Sequence, residues 1–272
     1  MILTRTPVRI SFFGGGSDYP EWFLNNGGAV LGTTIDKYCY VSLHSSGQSS
    51  HFFDVPTKSG LATSSAFTVG FLRASTQLDQ IVIARMTVDW ERDKSGNNVG
   101  YQDQYLCALG GLLHLKFSDQ GVEVEPIADG HNLESNLMMF YTGVRSLGSY
   151  QVIEEQLSNI KERGSELQDI HALVDEGIKT LDKGVEFGKL LDKAWRLKRR
   201  LAKDISTPAI DAMYDTALKS GAVGGKLLGA GNGGFLLLYV EPDKQDNVRK
   251  SLGLRQLPFK FSTGGTQVIY HD

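Results

Sequence analysis

Three stretches of the chain set residues suited to phosphate and sugar chemistry beside backbone that can approach a ligand closely. In VPTKSGLATSSA (55–66), Gly60 opens a loop, and Thr63, Ser64 and Ser65 follow where a helix is expected to begin. A helix N-terminus has unpaired N–H groups and the positive end of the helix dipole, so it attracts anions. Hydroxyls beside it can bond phosphate oxygens or ligate Mg2+. A single serine there would be only an N-cap, a reading that weakens for three consecutive hydroxyls. In VRISFFGGGSDYP (8–20), Arg9 sits on an expected strand, three glycines follow, and Asp18 comes just after. An Asp on such a loop can accept two sugar hydroxyls, and the planar fork of Arg9 suits phosphate oxygens. The plainer alternative is a hairpin with Asp18 as its turn residue. Glu91 lies near the end of one expected helix and Asp103 at the start of the next. Either both converge on one metal ion, or one binds metal while the other faces a substrate hydroxyl; phosphoryl transfer uses that second pair of roles. Spacing alone fits two solvated helix-end carboxylates better.

The elements that must position these residues follow from local pattern. Ile2–Thr4, Val8–Phe13 and Ala29–Leu43 read as strands, the last as one long strand or a hairpin. Helices are expected over 64–77, 81–93 and 103–109, and a hairpin over 112–117 and 122–126. Leu137–Tyr141 reads as a strand. From Tyr150 to Ser220 the chain turns rich in Leu, Glu, Lys and Ala at helical spacing, enough for three or four helices. Strands return at 234–240, 260–262 and 267–271, with a helix near 243–252. The class is α+β. It divides into a β-rich N-terminal domain, 1–130, and a helix-rich C-terminal domain with an antiparallel sheet, 131–272.

Composition narrows the function classes. The chain has 272 residues, with 28 Lys plus Arg against 31 Asp plus Glu, a formal net charge of −3. That balance argues against nucleic-acid binding by bulk charge. The longest unbroken apolar run, Phe235–Val240, is too short for a bilayer, and the first ten residues lack the apolar core of a signal peptide, so a cytoplasmic protein without membrane contact is expected. Two cysteines, Cys39 and Cys107, are too few for a disulfide scaffold. The six histidines show no metal spacing, and no G-x-S-x-G elbow is present. Glycine is the excess: 31 of 272, or about 11%, against a usual 7% or so. Gly229, Gly231 and Gly234 match G-x-G-x-x-G, but they lead into a strand, whereas a dinucleotide fingerprint follows a strand and opens a helix.

The order of the three glycine-bearing stretches is more specific than any one of them. PVRISFFGGGSDYP, PTKSGLATSSA and GGKLLGAGNGGF resemble, in chain order, the three motifs of the galactokinase, homoserine kinase, mevalonate kinase and phosphomevalonate kinase family, the GHMP kinases. NVGYQDQY and FYTGVRS extend the resemblance almost end to end, most closely to the branch that acts on heptose 7-phosphate. The resemblance implies the two-domain GHMP architecture and an ATP- and Mg2+-dependent kinase for the anomeric hydroxyl of that sugar phosphate. It implies that Ser59, Gly60, Leu61, Ala62, Thr63, Ser64 and Ser65 wrap the ATP phosphates, that Ser64 and Glu91 ligate Mg2+, and that Asp103 and Arg9 are catalytic. Asp18, Gly16, Ser17 and Gly231 are expected at the sugar, and Arg145, Lys58 and Lys226 are candidates for the substrate's own phosphate. An unphosphorylated fucose- or galactose-like acceptor is the alternative. A catalytically silent sugar sensor is the other class, disfavoured by retention of Ser64, Glu91 and Asp103. The first motif reads GGGSDY here, unlike the GEHTDY of galactokinases. Monomer and homodimer both stay open. Three departures stand out: Ala62 replaces the usual Gly, Asn232 interrupts a Gly-rich run, and the span from Asp18 to Pro56 is several tens of residues short, with the abridgement expected in 46–54.

Overall fold

The computed structural model describes residues 1–95, 98–128, 130–144 and 149–272. The chain opens with β1 (Ile2–Phe13), α1 (Pro20–Asn26), β2 (Gly28–Leu43) and β3 (Ser49–Phe53). Next come α2 (Thr63–Ser75), α3 (Gln80–Asp89), α4 (Gln102–Leu109), β4 (Leu112–Ser118) and β5 (Gly121–Pro126). A short α5 (His131–Glu134) leads to β6 (Leu137–Gly143) and four longer helices: α6 (Ser149–Ser158), α7 (Gly164–Thr180), α8 (Val185–Lys198) and α9 (Pro208–Lys219). The end is β7 (Ala222–Leu227), β8 (Gly234–Val240), α10 (Gln245–Leu252), β9 (Phe261–Ser262) and β10 (Gln267–His271). The α+β class read from the sequence is the class observed.

All strand pairs are antiparallel. A seven-stranded sheet runs β10-β1-β2-β4-β5, with β3 and β9 also paired to β2, and a three-stranded sheet runs β6-β8-β7. The last two strands thus complete the sheet built mainly by residues 2–126. β1 explains why its sequence shows little alternation: Val8, Ile10, Phe12 and Phe13 are all buried, because helices cover it. Phe12 and Phe13 meet Phe187 of α8 edge-on at 5.4 and 5.1 Å, which joins the helical half to the first sheet. No helix among the described residues is long and apolar enough to cross a membrane.

Four local readings differ from the pattern-based ones. Ile2–Thr4 and Val8–Phe13 form one strand that runs through Pro7; the β1–β2 register shifts between Pro7 and Arg9, so the ladder tolerates the missing N–H. In 46–54, where no strand was expected, Ser49–Phe53 pairs back on β2 through a tight turn at His44–Gln48. The helix expected over 81–93 ends at Asp89 and continues as one π-helical turn, Trp90–Lys94, which carries Glu91. Finally, β7 occupies the glycine-bearing stretch 222–227, for which no strand was expected.

Ala62 caps α2 with φ +61°, a left-handed conformation. Only Lys58 (φ +59°) and Asn232 (φ +64°) join it among the described non-glycine residues. A Cβ in that region costs about 1 kcal/mol. Ala62→Gly is therefore expected to raise unfolding free energy by ~0.5–1 kcal/mol, read as a higher urea midpoint at constant slope. An unchanged or lower midpoint would show that the loop holds no strain at Ala62.

Candidate active site

A cavity of about 370 Å3 opens between the glycine loop after β1, the start of α2, the start of α4 and the Gly229–Ala230 turn, with α6 and the end of α8 closing it. Arg9 holds its walls together. Its side chain is buried, and each guanidinium nitrogen is used. Nε donates to Asp103 Oδ1 at 2.8 Å, Nη2 lies 2.7 Å from the same oxygen as an ion pair, and Nη1 donates to the Gly60 carbonyl at 2.7 Å. Its backbone N–H donates to the Leu61 carbonyl at 3.2 Å. One residue of β1 thereby fixes both the 55–66 loop and the first turn of α4.

Asp18 is buried behind the glycine loop. Its Oδ1 accepts the Gly16 N–H at 2.9 Å, and its Oδ2 accepts both the backbone N–H and the side-chain amide of Gln102, at 3.2 and 3.0 Å. A Cβ on Gly100 would lie 2.1 Å from Oδ2, so only glycine passes there. Burial raises the Asp18 carboxyl above the usual range; the Gly16 hydrogen bond opposes this and the Asp103 charge adds to it. Glu91 is buried as well. Its Oε2 accepts the Ser65 hydroxyl at 3.0 Å and the Gln104 amide at 2.5 Å, while Oε1 is buried without a partner. Burial pushes this carboxyl up to about 7, against the Gln104 and Ser65 hydrogen bonds, with the Asp103 charge adding to the rise.

The structure brings Arg9, Gly16, Asp18, Gly60, Ala62, Thr63, Ser64, Ser65 and Asp103 together on the cavity wall. Lys58 and Lys226 line it too, while Leu61, Ser59, Ser17 and Gly231 stand behind it. Leu61 buries its side chain in the core and offers its carbonyl to Arg9. The Ser59 carbonyl accepts the Phe235 N–H at 3.1 Å, and a Cβ on Gly234 would sit 2.1 Å from that carbonyl oxygen, so the third motif props up the 55–66 loop. Ser17 is buried, its hydroxyl within 2.9 Å of the Gly14 and Ala29 carbonyls, and it braces the glycine loop from behind. Gly231 packs against the Ile205 backbone, next to the cavity-lining Ala230. Arg145 lies outside the described residues. It is the Ser65 hydroxyl that reaches Glu91, while Ser64 is exposed toward the cavity.

Several lining residues escaped the sequence reading. Gln102 adjoins Asp103 and needed only attention to its neighbour. Lys198, at the end of α8, looks in sequence like part of a solvated basic run, yet its Nζ donates to the Gly229 carbonyl inside the cavity. His51, Phe53 and Phe67 form an aromatic wall, with the His51 ring 4.9 Å from Phe67 and 5.5 Å from Phe53. No sequence motif marks it.

No cluster of three or more His, Cys, Asp or Glu side chains among the described residues could hold a metal unaided. Mg2+ needs less: one or two protein oxygens, with water and substrate phosphates completing its shell. The unpartnered Oε1 of Glu91 and the exposed hydroxyl of Ser64 fit that demand.

Glu91 also yields a stability prediction. It binds its proton more tightly folded (about 7) than at its ordinary value of 4.5. The folded state therefore holds the extra proton between those values, and stability falls as pH rises through them, by on the order of 3 kcal/mol. Glu91→Gln removes that loss. In metal-free buffer the variant is expected to melt higher than the parent chain at pH 8, with the gap closing toward pH 4.5. A gap that does not change with pH would contradict the burial argument.

Comparison with known proteins agrees with this geometry. The model of the GHMP kinases N terminal domain matches residues 38–111, and that of the GHMP kinases C terminal domain matches 178–257, together more than half of the chain. A D-glycero-alpha-D-manno-heptose 7-phosphate kinase of Campylobacter jejuni is 27% identical over 320 aligned positions covering 94% of both chains. That length exceeds this chain's own, so the alignment carries gaps on this side. A galactokinase of Pyrococcus furiosus is 28% identical, covering 77% of this chain and 68% of its own. The crystal structure of a D-glycero-D-manno-heptose 1-phosphate kinase from Bacteroides thetaiotaomicron superposes over 100% of both chains with a TM-score of 0.77 at 22% identity, which shows a shared fold. With both family domains matched in order on the two sides of this cavity, the chain belongs to the GHMP kinase family.

Proposed function

We propose that this chain is an ATP-dependent sugar kinase that phosphorylates the anomeric hydroxyl of a heptose 7-phosphate. The observation that carries the reading is the grip of Arg9 on Asp103 and on the Gly60 carbonyl, because it places a carboxylate for an attacking hydroxyl and a loop for phosphates on one rigid support. The choice of sugar draws on the relative from Campylobacter jejuni that is named for that activity.

In this reading the ATP phosphates lie over the first turn of α2, where backbone N–H groups and the Thr63 and Ser64 hydroxyls face them. The His51, Phe53 and Phe67 wall flanks the same loop and offers apolar surface to the base. The acceptor's anomeric hydroxyl lies against Asp103. Both Arg9 contacts fall on Oδ1, which leaves Oδ2 to accept the hydroxyl proton. The sugar oxygen bonds to the γ-phosphorus, the bond from that phosphorus to the bridging oxygen breaks, and ADP leaves. A loose transition state asks for little basicity, so positioning matters more than proton affinity. Arg9 also sets positive charge beside the equatorial oxygens as they gain charge. Asp18 holds the glycine loop to Gln102 and so keeps the sugar side of the cavity in register with Asp103. When bound through Glu91 and Ser64, Mg2+ would neutralise charge on the β- and γ-phosphates.

The test is ADP release from Mg·ATP with a panel of sugars, each offered with and without its terminal phosphate. Turnover with heptose 7-phosphate is the expected result; turnover confined to free galactose or fucose would keep the kinase and discard the heptose phosphate. No turnover despite ATP binding would favour a silent sensor. Asp103→Asn is expected to lower kcat by roughly 10²–10⁴-fold while sugar affinity changes little; equal losses in both would contradict the role. Activity is expected to vanish in excess chelator and return with Mg2+ or Mn2+. Full activity in chelator would remove the assignment of Ser64 and Glu91.

A further inference from the structure

The three glycines of the first motif do not serve the same end. Gly14 and Gly16 take φ of +86° and +114°, which side chains other than hydrogen rarely allow, whereas Gly15 is not among the positive-φ glycines. A Cβ on Gly15 would lie 3.4 Å from Ser11 Oγ, 3.4 Å from Gln102 Nε2 and 3.9 Å from Gln102 Oε1, all within ordinary contact. Backbone and neighbours would therefore tolerate alanine. What glycine preserves here is the space between the Ser11 and Gln102 side chains, and all three residues line the cavity. Ser11 is 6% exposed, and its hydroxyl has no hydrogen-bond partner among the described residues; the buried Oε1 of Gln102 has none either. The Gln102 Nε2 donates to Asp18 Oδ2 at 3.0 Å, which fixes the oxygen as the end of the amide left open. A buried hydroxyl and a buried carbonyl without partners cost stability, and a hydrogen-bonding ligand relieves that cost.

The chemistry of the open atoms tells what group they take. Gln102 Oε1 only accepts, and Ser11 Oγ both donates and accepts, so the matching group donates to the first and accepts from the second. A sugar hydroxyl does both. A phosphate dianion brings acceptors alone and has nothing to donate to Gln102 Oε1. Position agrees. Ser11 follows Arg9 by two residues in a regular stretch of β1, so both side chains leave the same face of the strand. Gln102 immediately precedes Asp103 at the start of α4. The Ser11 and Gln102 pair thus stands beside the Arg9 and Asp103 pair, at Gly15, while Arg9 itself reaches the Gly60 carbonyl of the 55–66 loop. We propose that Ser11, Gln102 and the space at Gly15 form a subsite for a non-reacting hydroxyl of the acceptor sugar, which orients the anomeric hydroxyl on Asp103. The proposal rests on the kinase reading above and adds specificity-determining residues for its acceptor. The other serine nearby, Ser17, spends its hydroxyl on the Gly14 and Ala29 carbonyls.

The experiment measures dissociation constants by calorimetry for heptose 7-phosphate, and for the same heptose without phosphate by displacement, in the presence of MgCl2 and the non-hydrolysable analogue AMP-PNP. The parent chain, Ser11→Ala and Gly15→Ala are compared, AMP-PNP affinity is measured separately, and thermal melts are recorded without sugar. Ser11→Ala removes a hydroxyl that has no partner to lose, so it is expected to melt no lower than the parent chain. It should weaken both sugars by the same factor, roughly threefold to tenfold, because the hydroxyl it served is common to them. Gly15→Ala fills the space between the two open atoms and should weaken both sugars by about threefold or more. AMP-PNP affinity should stay within about twofold of the parent value. If Ser11→Ala does not fold, Gly15→Ala carries the test alone. Folded variants that bind both sugars as tightly as the parent chain overturn the proposal, and a lowered melt beside that unchanged affinity gives the Ser11 hydroxyl a structural role instead. A loss confined to the phosphorylated sugar puts Ser11 on the phosphate and overturns it too. So does a loss of AMP-PNP affinity in place of sugar affinity. If the parent chain turns over heptose 7-phosphate while the variants keep its affinity, only the subsite falls. If the parent chain neither binds nor phosphorylates either sugar, the kinase reading falls and the subsite with it.

Discussion

The guanidinium of Arg9 is the contact on which the rest of the site depends. It is 3% exposed and uses three nitrogens on two partners that are 43 positions apart in sequence, Gly60 and Asp103. A buried cation with this many partners holds its geometry tightly, and losing one partner would leave charge uncompensated. The position of Arg9 is in turn set by the irregular stretch of β1 beside Pro7 and by the sheet around it. The carbonyl it grips belongs to a loop that the third motif supports from below, through Phe235 N–H on Ser59. The three glycine-bearing stretches are thus one mechanical unit, although they lie in three parts of the chain.

That unit is costly to the fold. The non-glycine residues with left-handed backbone among the described residues, Lys58, Ala62 and Asn232, all belong to the second and third motifs. Buried ionisable groups gather at the same place: Asp18, Glu91 and Lys226 are each shifted toward their neutral forms, chiefly by burial. Strain and desolvation of this sort persist where the surrounding packing over-determines them, and they mark sites built for a ligand that restores the missing charge. The π-helical turn that carries Glu91 belongs to the same pattern, since it turns that carboxylate inward toward Ser65 and Gln104.

Much of this was legible in the sequence because motif order carries information that single motifs lack. Gly60, Asp103, Arg9 and Asp18 could be named before any coordinates, and the structure sets them around one cavity. What was hidden falls into two kinds. β7 was missed because its glycines leave no alternation of side chains to read, although they pack beneath α8 and β8. Lys198 was missed because a lysine at the end of an amphipathic helix looks the same whether it meets solvent or a cavity; only tertiary placement tells them apart. Ser17 shows the converse, a hydroxyl in the right motif whose hydrogen bonds go to the backbone carbonyls of Gly14 in its own loop and Ala29 in β2. Proximity in sequence to a functional loop does not say which face of the loop a side chain takes.

The central claim is that Arg9 and Asp103 act as one device, and a double-mutant cycle measures that directly. The kcat for sugar phosphorylation would be compared among the parent chain, Arg9→Gln, Asp103→Asn and the double variant, with folding checked by thermal melts. If the pair works as a unit, the double variant turns over about as slowly as the slower single variant, so the two losses are strongly non-additive. If the losses simply multiply, the two residues act independently, and the account in which Arg9 places the acceptor carboxylate against the phosphate loop is wrong.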